Sequence, residues 1–167
     1  MKVFSIKNLV RELRGRGRGI VLVGGTFDLI HPDHIEFLEK SKKLGKILVV
    51  CITKDREVRE RKGPTRPIYD EKSRAKIVSA LCVVDYVFVS KYSAYDKRTI
   101  ELIKPDIVTF SLDGGRANHR QGYRKSIEKL SPGIKVKYVN TTGKFSTTKT
   151  IGMIVKKNHP TLETASL

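Results

Sequence analysis

The chain has 167 residues, of which 39% are hydrophobic, and 34 Lys and Arg against 17 Asp and Glu give it a formal net charge of +17. This length suits a single domain with its own core, and the charge favours partners that carry phosphate groups. There is no long apolar N-terminal stretch with a cleavage site and no run of about 18 apolar residues, so we expect a soluble, cytoplasmic protein. Cys51 and Cys82 have no ligand-like neighbours, and we expect both to be reduced packing residues.

The chain begins with a predicted helix and a connection. Apolar residues at 6, 9, 10 and 13 lie on one helical face, and Ser5 is placed to cap the helix. The glycines of residues 15–19 precede the first strong strand, whereas the glycines of a dinucleotide-binding fingerprint follow a strand. We therefore interpret residues 15–19 as a flexible connection.

A short strand followed by two glycines opens the central stretch, residues 20–38. Ile20–Val23 is apolar and β-branched without a polar face, which predicts a strand covered on both sides by helices. Gly24 and Gly25 are expected to end the strand, because glycine lets the backbone turn sharply and lets a ligand phosphate approach its amides.

A predicted helix start completes this stretch. Pro32 fits the first turn of a helix, and the free amides of that turn favour anions. His31 and His34 lie beside those amides. Together, the strand, the glycine turn, the imidazoles and the helix start predict a phosphate site.

Alternating strands and helices follow. Further strands are predicted at residues 46–52, 86–89, 107–110 and 134–139, and helices at 70–81, 97–103, 117–130 and 147–156. The charged residues 54–67 contain too much Gly and Pro to be read as a helix, and we predict a loop there. The pattern predicts a single α/β domain with a Rossmann-like, doubly wound, parallel five-stranded sheet, whose ligands bind beyond the carboxyl ends of the strands.

Several motifs then carry a family resemblance. Residues 25–34 read GTFDLIHPDH, which resembles the GTFDxxHxGH signature of the nucleotidylyltransferase superfamily, also called cytidylyltransferase-like. RKGPTRPI at 61–68, EKSR at 71–74 and VDYV at 84–87 resemble heptose 1-phosphate adenylyltransferases, and GKFSTTK at 143–149 is similar to an element of glycerol-3-phosphate cytidylyltransferases. We accordingly assign residues 20–157 to a nucleotidylyltransferase domain, 1–19 to a lead-in segment and 158–167 to a tail.

The resemblance implies transfer of AMP or CMP from ATP or CTP to a small phosphorylated sugar or polyol. It implies release of pyrophosphate, magnesium as the cofactor, no covalent intermediate, and a homodimer. By the same resemblance His31 and His34 serve the triphosphate and its transition state, Lys62 serves the α-phosphate, and Arg74 orders the phosphate-binding loop. The resemblance also assigns nucleotide binding to Gly25, Thr26, Phe27, Asp113, Ser146, Thr147 and Thr148.

Other interpretations of these residues stay open. The His31 and His34 pair could bind zinc, although no cysteine or carboxylate is spaced to complete the site, and we predict no resident metal. Lys62 and Arg74 could be solvated charges, and residues 146–148 could simply cap a helix. Asp33 stands where the signature has glycine, and we expect its carboxylate to weaken nucleotide binding or to require a bridging cation.

A second function class follows from the same departure. A catalytically weakened family member that binds nucleotides or nucleic acid would explain both Asp33 and the charge of +17. Aromatic residues make up only 7% of the chain and no RNP-like strand motif occurs, which counts against dedicated single-stranded RNA recognition. We therefore predict a nucleotidyltransferase that acts on small molecules.

Overall fold

One parallel sheet forms the centre of the computed structural model, which describes residues 2–112 and 117–158. Its six strands run in the order β1-β4-β3-β2-β5-β6. They are β1 (Val3–Phe4), β2 (Ile20–Gly25), β3 (Ile47–Thr53), β4 (Tyr86–Ser90), β5 (Ile107–Ser111) and β6 (Lys135–Val139). The predicted Rossmann-like fold and its five strands are confirmed. The sixth strand, β1, has only two residues and pairs at the edge with β4, and it is too short to show a sequence period.

Seven helices connect and cover the strands in the described part of the chain. They are α1 (Ile6–Leu13), α2 (Pro32–Lys42), α3 (Asp55–Lys62), α4 (Glu71–Ser79), α5 (Lys97–Ile103), α6 (Ala117–Leu130) and α7 (Thr147–Asn158). The predicted cap of α1 is present, since Ser5 accepts a hydrogen bond from the Asn8 amide. Asp70 caps α4 in the same way and accepts a hydrogen bond from the Ser73 amide. Within residues 2–112 and 117–158, none of the helices combines the length and the apolar composition that a bilayer-spanning segment needs.

The prediction of a loop throughout residues 54–67 is wrong, because its first half is α3. Val58 is the one buried residue of this helix, so the sequence shows no hydrophobic period. Its charges instead follow the helix dipole, with acidic residues in the first turn and basic residues in the last. Gly63 ends α3 with a φ of 93°, a conformation that glycine adopts without strain.

Apolar side chains pack on both faces of the sheet, as a doubly wound fold requires. Cys51 is buried in β3, as expected, but Cys82 is exposed. The second expectation fails because α4 ends at Ser79 and Cys82 lies in the turn beyond it. Ile77 is also exposed, while Val78 on the same helix is fully buried.

The direction of chain progression reverses between β2 and β5. From β2 the chain moves outward through β3 to β4, and it then returns to place β5 on the other side of β2. In open parallel sheets, ligands bind beyond the carboxyl ends of the strands at such a switch point. The turn after β2 lies there.

Candidate active site

A cavity of about 620 Å³ opens at the carboxyl end of the sheet. The ends of β2, β3 and β5 form its base, and α3 forms one wall. Several side chains with hydroxyl groups also line the cavity. The residues around it include Gly25, Thr26, Glu57, Lys62, Ser93, Tyr95, Ser111 and Tyr123.

The turn after β2 differs from its predicted form. Gly24 and Gly25 belong to the strand, and the left-handed conformations fall on Phe27 and Leu29, with φ of 51° and 45°. A Cβ on Gly24 would collide with the Ala94 side chain, and one on Gly25 would lie 2.6 Å from the Phe27 ring. The two glycines are therefore required by packing within the protein, and Gly25 still lines the cavity.

His31 and His34 lie side by side at the start of α2. His31 is the N-cap residue, and the two rings stack with centroids 3.7 Å apart and an interplanar angle of 22°. The Phe27 ring lies against His34, with centroids 5.2 Å apart. The Nδ1 atoms of both histidines are buried and make no hydrogen bond within the described residues. Unpaired buried polar atoms are rare in native proteins, so this pair calls for a role beyond packing.

The surroundings of both imidazoles favour the neutral form. Burial lowers the pKa of His34 to about 3, and the nearby charges of His31 and Lys62 act in the same direction. Burial also lowers the pKa of His31, with Lys62 adding to the effect and Asp33 opposing it. A phosphate placed against the rings would favour their protonated forms and raise both pKa values.

Asp28 braces the turn after β2. It is 1% exposed, and its carboxylate accepts hydrogen bonds from the Ile68 and Tyr69 amides and from Arg66. Burial alone would raise the pKa of Asp28, but these hydrogen bonds and the Arg66 charge hold it below its ordinary value. The contacts tie the residues after Gly63 to the turn after β2.

Arg74 is completely buried beneath the cavity. Its Nε donates to the Tyr69 carbonyl at 2.9 Å, its Nη1 donates to the Thr26 carbonyl, and its Nη2 donates to the Thr53 carbonyl at 2.7 Å. Nη2 also bonds to the Asp55 carboxylate at 2.6 Å. The solvated-charge interpretation of Arg74 is therefore wrong, and the guanidinium connects the ends of β2 and β3 to the starts of α3 and α4.

Lys62 has a different setting from Arg74. It is the last residue of α3, it is exposed, and it lines the cavity. Its charge lies near enough to both imidazoles to lower the pKa of each. The structure therefore brings the predicted lysine and the predicted histidines to the same edge of the sheet.

The hydroxyl-rich start of α7 reaches this edge as well. The Ser146 hydroxyl accepts a hydrogen bond from the Lys149 amide, which is the geometry of a helix cap. The Thr147 hydroxyl donates to the Asp28 carbonyl at 2.6 Å and so ties α7 to the turn after β2. Thr148 is exposed in the first turn. The remaining predicted nucleotide-binding residue, Asp113, lies outside the described residues.

Asp33 does not behave as its position in the motif suggests. It is 6% exposed, and its two carboxylate oxygens accept hydrogen bonds from the Thr142 hydroxyl at 2.6 Å and the Phe145 amide at 3.1 Å. Burial alone would raise the pKa of Asp33, but these two hydrogen bonds and the nearby His31 and Lys149 charges lower it. Its carboxylate binds the protein's own chain.

Two residues at the cavity escaped the sequence analysis. The Tyr95 hydroxyl accepts a hydrogen bond from the Gly24 amide at 3.0 Å and lies 3.2 Å from the Thr109 carbonyl, so it joins β2 to β5. Tyr95 lies in a loop without a motif, and the sequence carries no signal for it. Glu57 lies on the unpredicted α3, and burial raises the pKa of its carboxyl group. The charge order of α3 was the signal that could have revealed Glu57.

No group of three or more His, Cys, Asp or Glu side chains that could hold a metal ion occurs within residues 2–112 and 117–158. The two histidines stack on one another, and Asp33 and Asp28 are occupied by protein donors. The described residues therefore do not fit a resident zinc site. A magnesium ion bound through phosphates would not need such a cluster, because magnesium keeps several waters and takes few protein ligands.

Comparisons with known proteins agree with this geometry. A family model described as cytidylyltransferase-like matches residues 22–151. The bifunctional protein HldE of Desulfatibacillum aliphaticivorans is 45% identical over 105 residues, which cover 63% of this chain and 21% of that protein. HldE of Koribacter versatilis is 37% identical over 159 residues, which cover 93% of this chain and 30% of that protein. The chain thus spans less than a third of either relative.

Solved structures show the same architecture. The lipopolysaccharide core biosynthesis protein from Thermoplasma volcanium is 36% identical with a TM-score of 0.62, and the alignment covers 75% of this chain and 98% of that one. Pantothenate synthetase from Thermus thermophilus is 17% identical with a TM-score of 0.54 over 85% of this chain and 62% of that one, which shows the fold alone. The family match over most of the sequence confirms the resemblance, and the chain belongs to the cytidylyltransferase-like family of nucleotidyltransferases.

Proposed function

We propose that this chain transfers AMP or CMP from ATP or CTP to a small phosphorylated sugar or polyol. An oxygen of the acceptor phosphate attacks the α-phosphorus, the bond from that phosphorus to the bridging oxygen breaks, and pyrophosphate leaves with the bond electrons. The observation that carries the proposal is the stacked pair of His31 and His34 near Lys62 and the cavity, with Nδ1 atoms that no described residue satisfies.

The proposed roles follow from charge. In the transition state negative charge gathers on the bridging and equatorial oxygens, and fixed donors and cations near these atoms lower the barrier. Lys62 supplies a positive charge for the α-phosphate. His31 and His34 donate hydrogen bonds to the triphosphate, and its negative charge raises their pKa values so that each donation gains in strength.

Positioning completes the proposed mechanism. Holding the acceptor oxygen in line with the α-phosphorus removes most of the entropic cost of the encounter. The backbone amides of Thr26 and Phe27 and the first turn of α7, with Ser146, Thr147 and Thr148, are the proposed partners of the phosphates. Arg74 acts indirectly, because its guanidinium donates a hydrogen bond to the Thr26 carbonyl and so holds the backbone at this residue.

The cavity supports an acceptor with hydroxyl groups. Glu57 repels phosphates but accepts hydrogen bonds from hydroxyl groups, and Ser93 also lines the cavity. A sugar or polyol phosphate matches this mixture of acidic, neutral and basic side chains. The resemblance to heptose 1-phosphate adenylyltransferases favours ATP as the donor.

Magnesium is the proposed metal, and it supplies charge neutralisation on the triphosphate when it is bound. We propose that it arrives with the nucleotide, since the described residues provide no cluster of metal ligands. The predicted homodimer and the predicted cytoplasmic location also remain proposals. Light scattering of the purified protein would give the mass that tests the dimer.

The deciding experiment is pyrophosphate release from ATP, CTP, GTP and UTP with magnesium. The acceptors are a panel of sugar, polyol and amino-alcohol phosphates and flavin mononucleotide. We expect release with one donor and acceptor pair, loss of at least about 100-fold in His34→Ala, and no change in Lys43→Ala at the exposed end of α2. Absence of pyrophosphate release with every donor and acceptor, together with salt-dependent binding of nucleic acid, would instead support the alternative function. In that case the chain is a catalytically weakened family member that binds nucleic acid.

A further inference from the structure

One face of α2 holds the segment that leads into α7. Asp33 accepts hydrogen bonds from the Thr142 hydroxyl at 2.6 Å and from the Phe145 amide at 3.1 Å. The two donors are 109 and 112 residues away in sequence. A single buried carboxylate thus fixes both ends of the turn formed by residues 142–145.

The next turns of α2 extend this contact. Glu36 accepts a hydrogen bond from the Thr142 amide at 3.0 Å, and Lys40 donates to the Asn140 carbonyl at 2.9 Å. Glu36 and Lys40 also form an ion pair at 2.7 Å. Residues separated by three and four positions share a helix face, so these side chains form one continuous strip.

The held segment determines where α7 begins. Residue Ser146, which caps α7, directly follows the amide that Asp33 binds. Thr147 bonds to the Asp28 carbonyl, so the first turn of α7 is attached to the protein on two sides. His31, two residues before Asp33, is the cap of α2. The Asp33 carboxylate therefore connects the first turn of α2 to the turn that precedes α7.

We propose that Asp33 is a positioning residue for the triphosphate, and that it acts through Thr142 and Phe145 on the first turn of α7. This inference rests on the proposed function, because it requires that α7 meets phosphates. It reverses the expectation that the Asp33 carboxylate repels the nucleotide. Asp33 and Thr142 together form a latch between the two helices.

The geometry separates the latch from simple repulsion. A carboxylate that faced the ligand would be exposed in the cavity, whereas Asp33 is buried and accepts a hydrogen bond at each oxygen. Its charge also lies near the His31 ring and the Lys149 ammonium group. Removal of the charge therefore loosens the turn before α7 and gives no relief to the nucleotide.

Steady-state kinetics of Asp33→Asn, Thr142→Val and the double variant test the latch. We expect each single variant to raise the KM for the nucleotide about tenfold, because each loses a hydrogen bond to a charged group. The KM for the acceptor should stay unchanged. The double variant should be no worse than the more impaired single variant, since both substitutions remove the same Asp33–Thr142 hydrogen bond. Thr142→Ser keeps the hydroxyl and should behave as the unaltered protein.

A matched control is Glu39→Gln, which removes one negative charge from the exposed side of the same helix. We expect it to leave both KM values unchanged. Tighter nucleotide binding in Asp33→Asn would overturn the latch in favour of repulsion. Equal changes in both KM values, or additive effects in the double variant, would also overturn it.

Binding of inorganic tripolyphosphate, measured by calorimetry, tests the latch without turnover. A loss of about tenfold in Asp33→Asn and Thr142→Val, but not in Glu39→Gln, would support it even if no acceptor reacts. Equal affinity in all variants would overturn it. Failure of the proposed transferase function would appear separately, as absence of pyrophosphate release from a protein that binds tripolyphosphate normally.

Discussion

Arg74 and Lys62 are two cations beside one cavity, and their surroundings differ. Arg74 is fully buried, and it donates to three backbone carbonyls and to the Asp55 carboxylate. Lys62 is exposed at the end of α3, and its charge reaches His31 and His34. The comparison teaches that a positively charged residue within a family motif can either support the backbone or face the ligand. Burial of the side chain distinguishes these two roles.

Replacing Arg74 should have the largest effect on stability. Arg74→Met leaves Asp55 and three carbonyls without their buried donor, so we expect the free energy of unfolding to fall by about 3–5 kcal/mol in urea denaturation. Arg74→Lys keeps the charge but has fewer hydrogen-bond donors. Its free energy of unfolding should fall by less, and the protein should remain folded. The control is Lys76→Met on the exposed side of α4. A stable Arg74→Met protein that is inactive would refute the comparison.

Replacing Lys62 should produce the opposite pattern. We expect Lys62→Met to lower kcat/KM about 100-fold, because the transition state loses a cation, while the urea midpoint stays unchanged. Arg59→Met removes an exposed charge from the same helix and should alter neither quantity. The comparison would fail if Lys62→Met unfolded at lower urea or retained full activity.

Replacing His34 should have the smallest of the three effects. It should change how the stability of the protein depends on pH. Its pKa is about 3 in the folded protein and near 6.5 when unfolded, so between these values only the unfolded chain binds the proton. The contribution of neutral His34 to the free energy of unfolding is therefore fully present above pH 6.5. It is lost as the pH decreases, by about 2 kcal/mol between pH 7 and pH 5. Urea denaturation of His34→Gln at both pH values should show a smaller fall. An NMR titration of His34 near pH 6.5 would contradict this.

Much of this site could be predicted because it lies in short, continuous patterns. The strand, the histidines and Pro32 lie within residues 20–38, and local geometry suffices to place a helix start after a strand. Lys62 was found only through the surrounding motif, since a lone lysine carries no structural signal. Tyr95 was missed because its role arises from contacts with two strands that are 71 and 14 residues away.

By itself, the sequence determined the doubly wound sheet, the turn with its histidines and the family, because periodic burial and contiguous motifs are local properties of a chain. Only the tertiary structure decided that α3 is a helix, since one buried valine and a charge order do not form a hydrophobic period. It alone also decided that Arg74 is buried and that Asp33 faces Thr142. The direction of a polar side chain depends on partners that are distant in sequence and are brought together by folding.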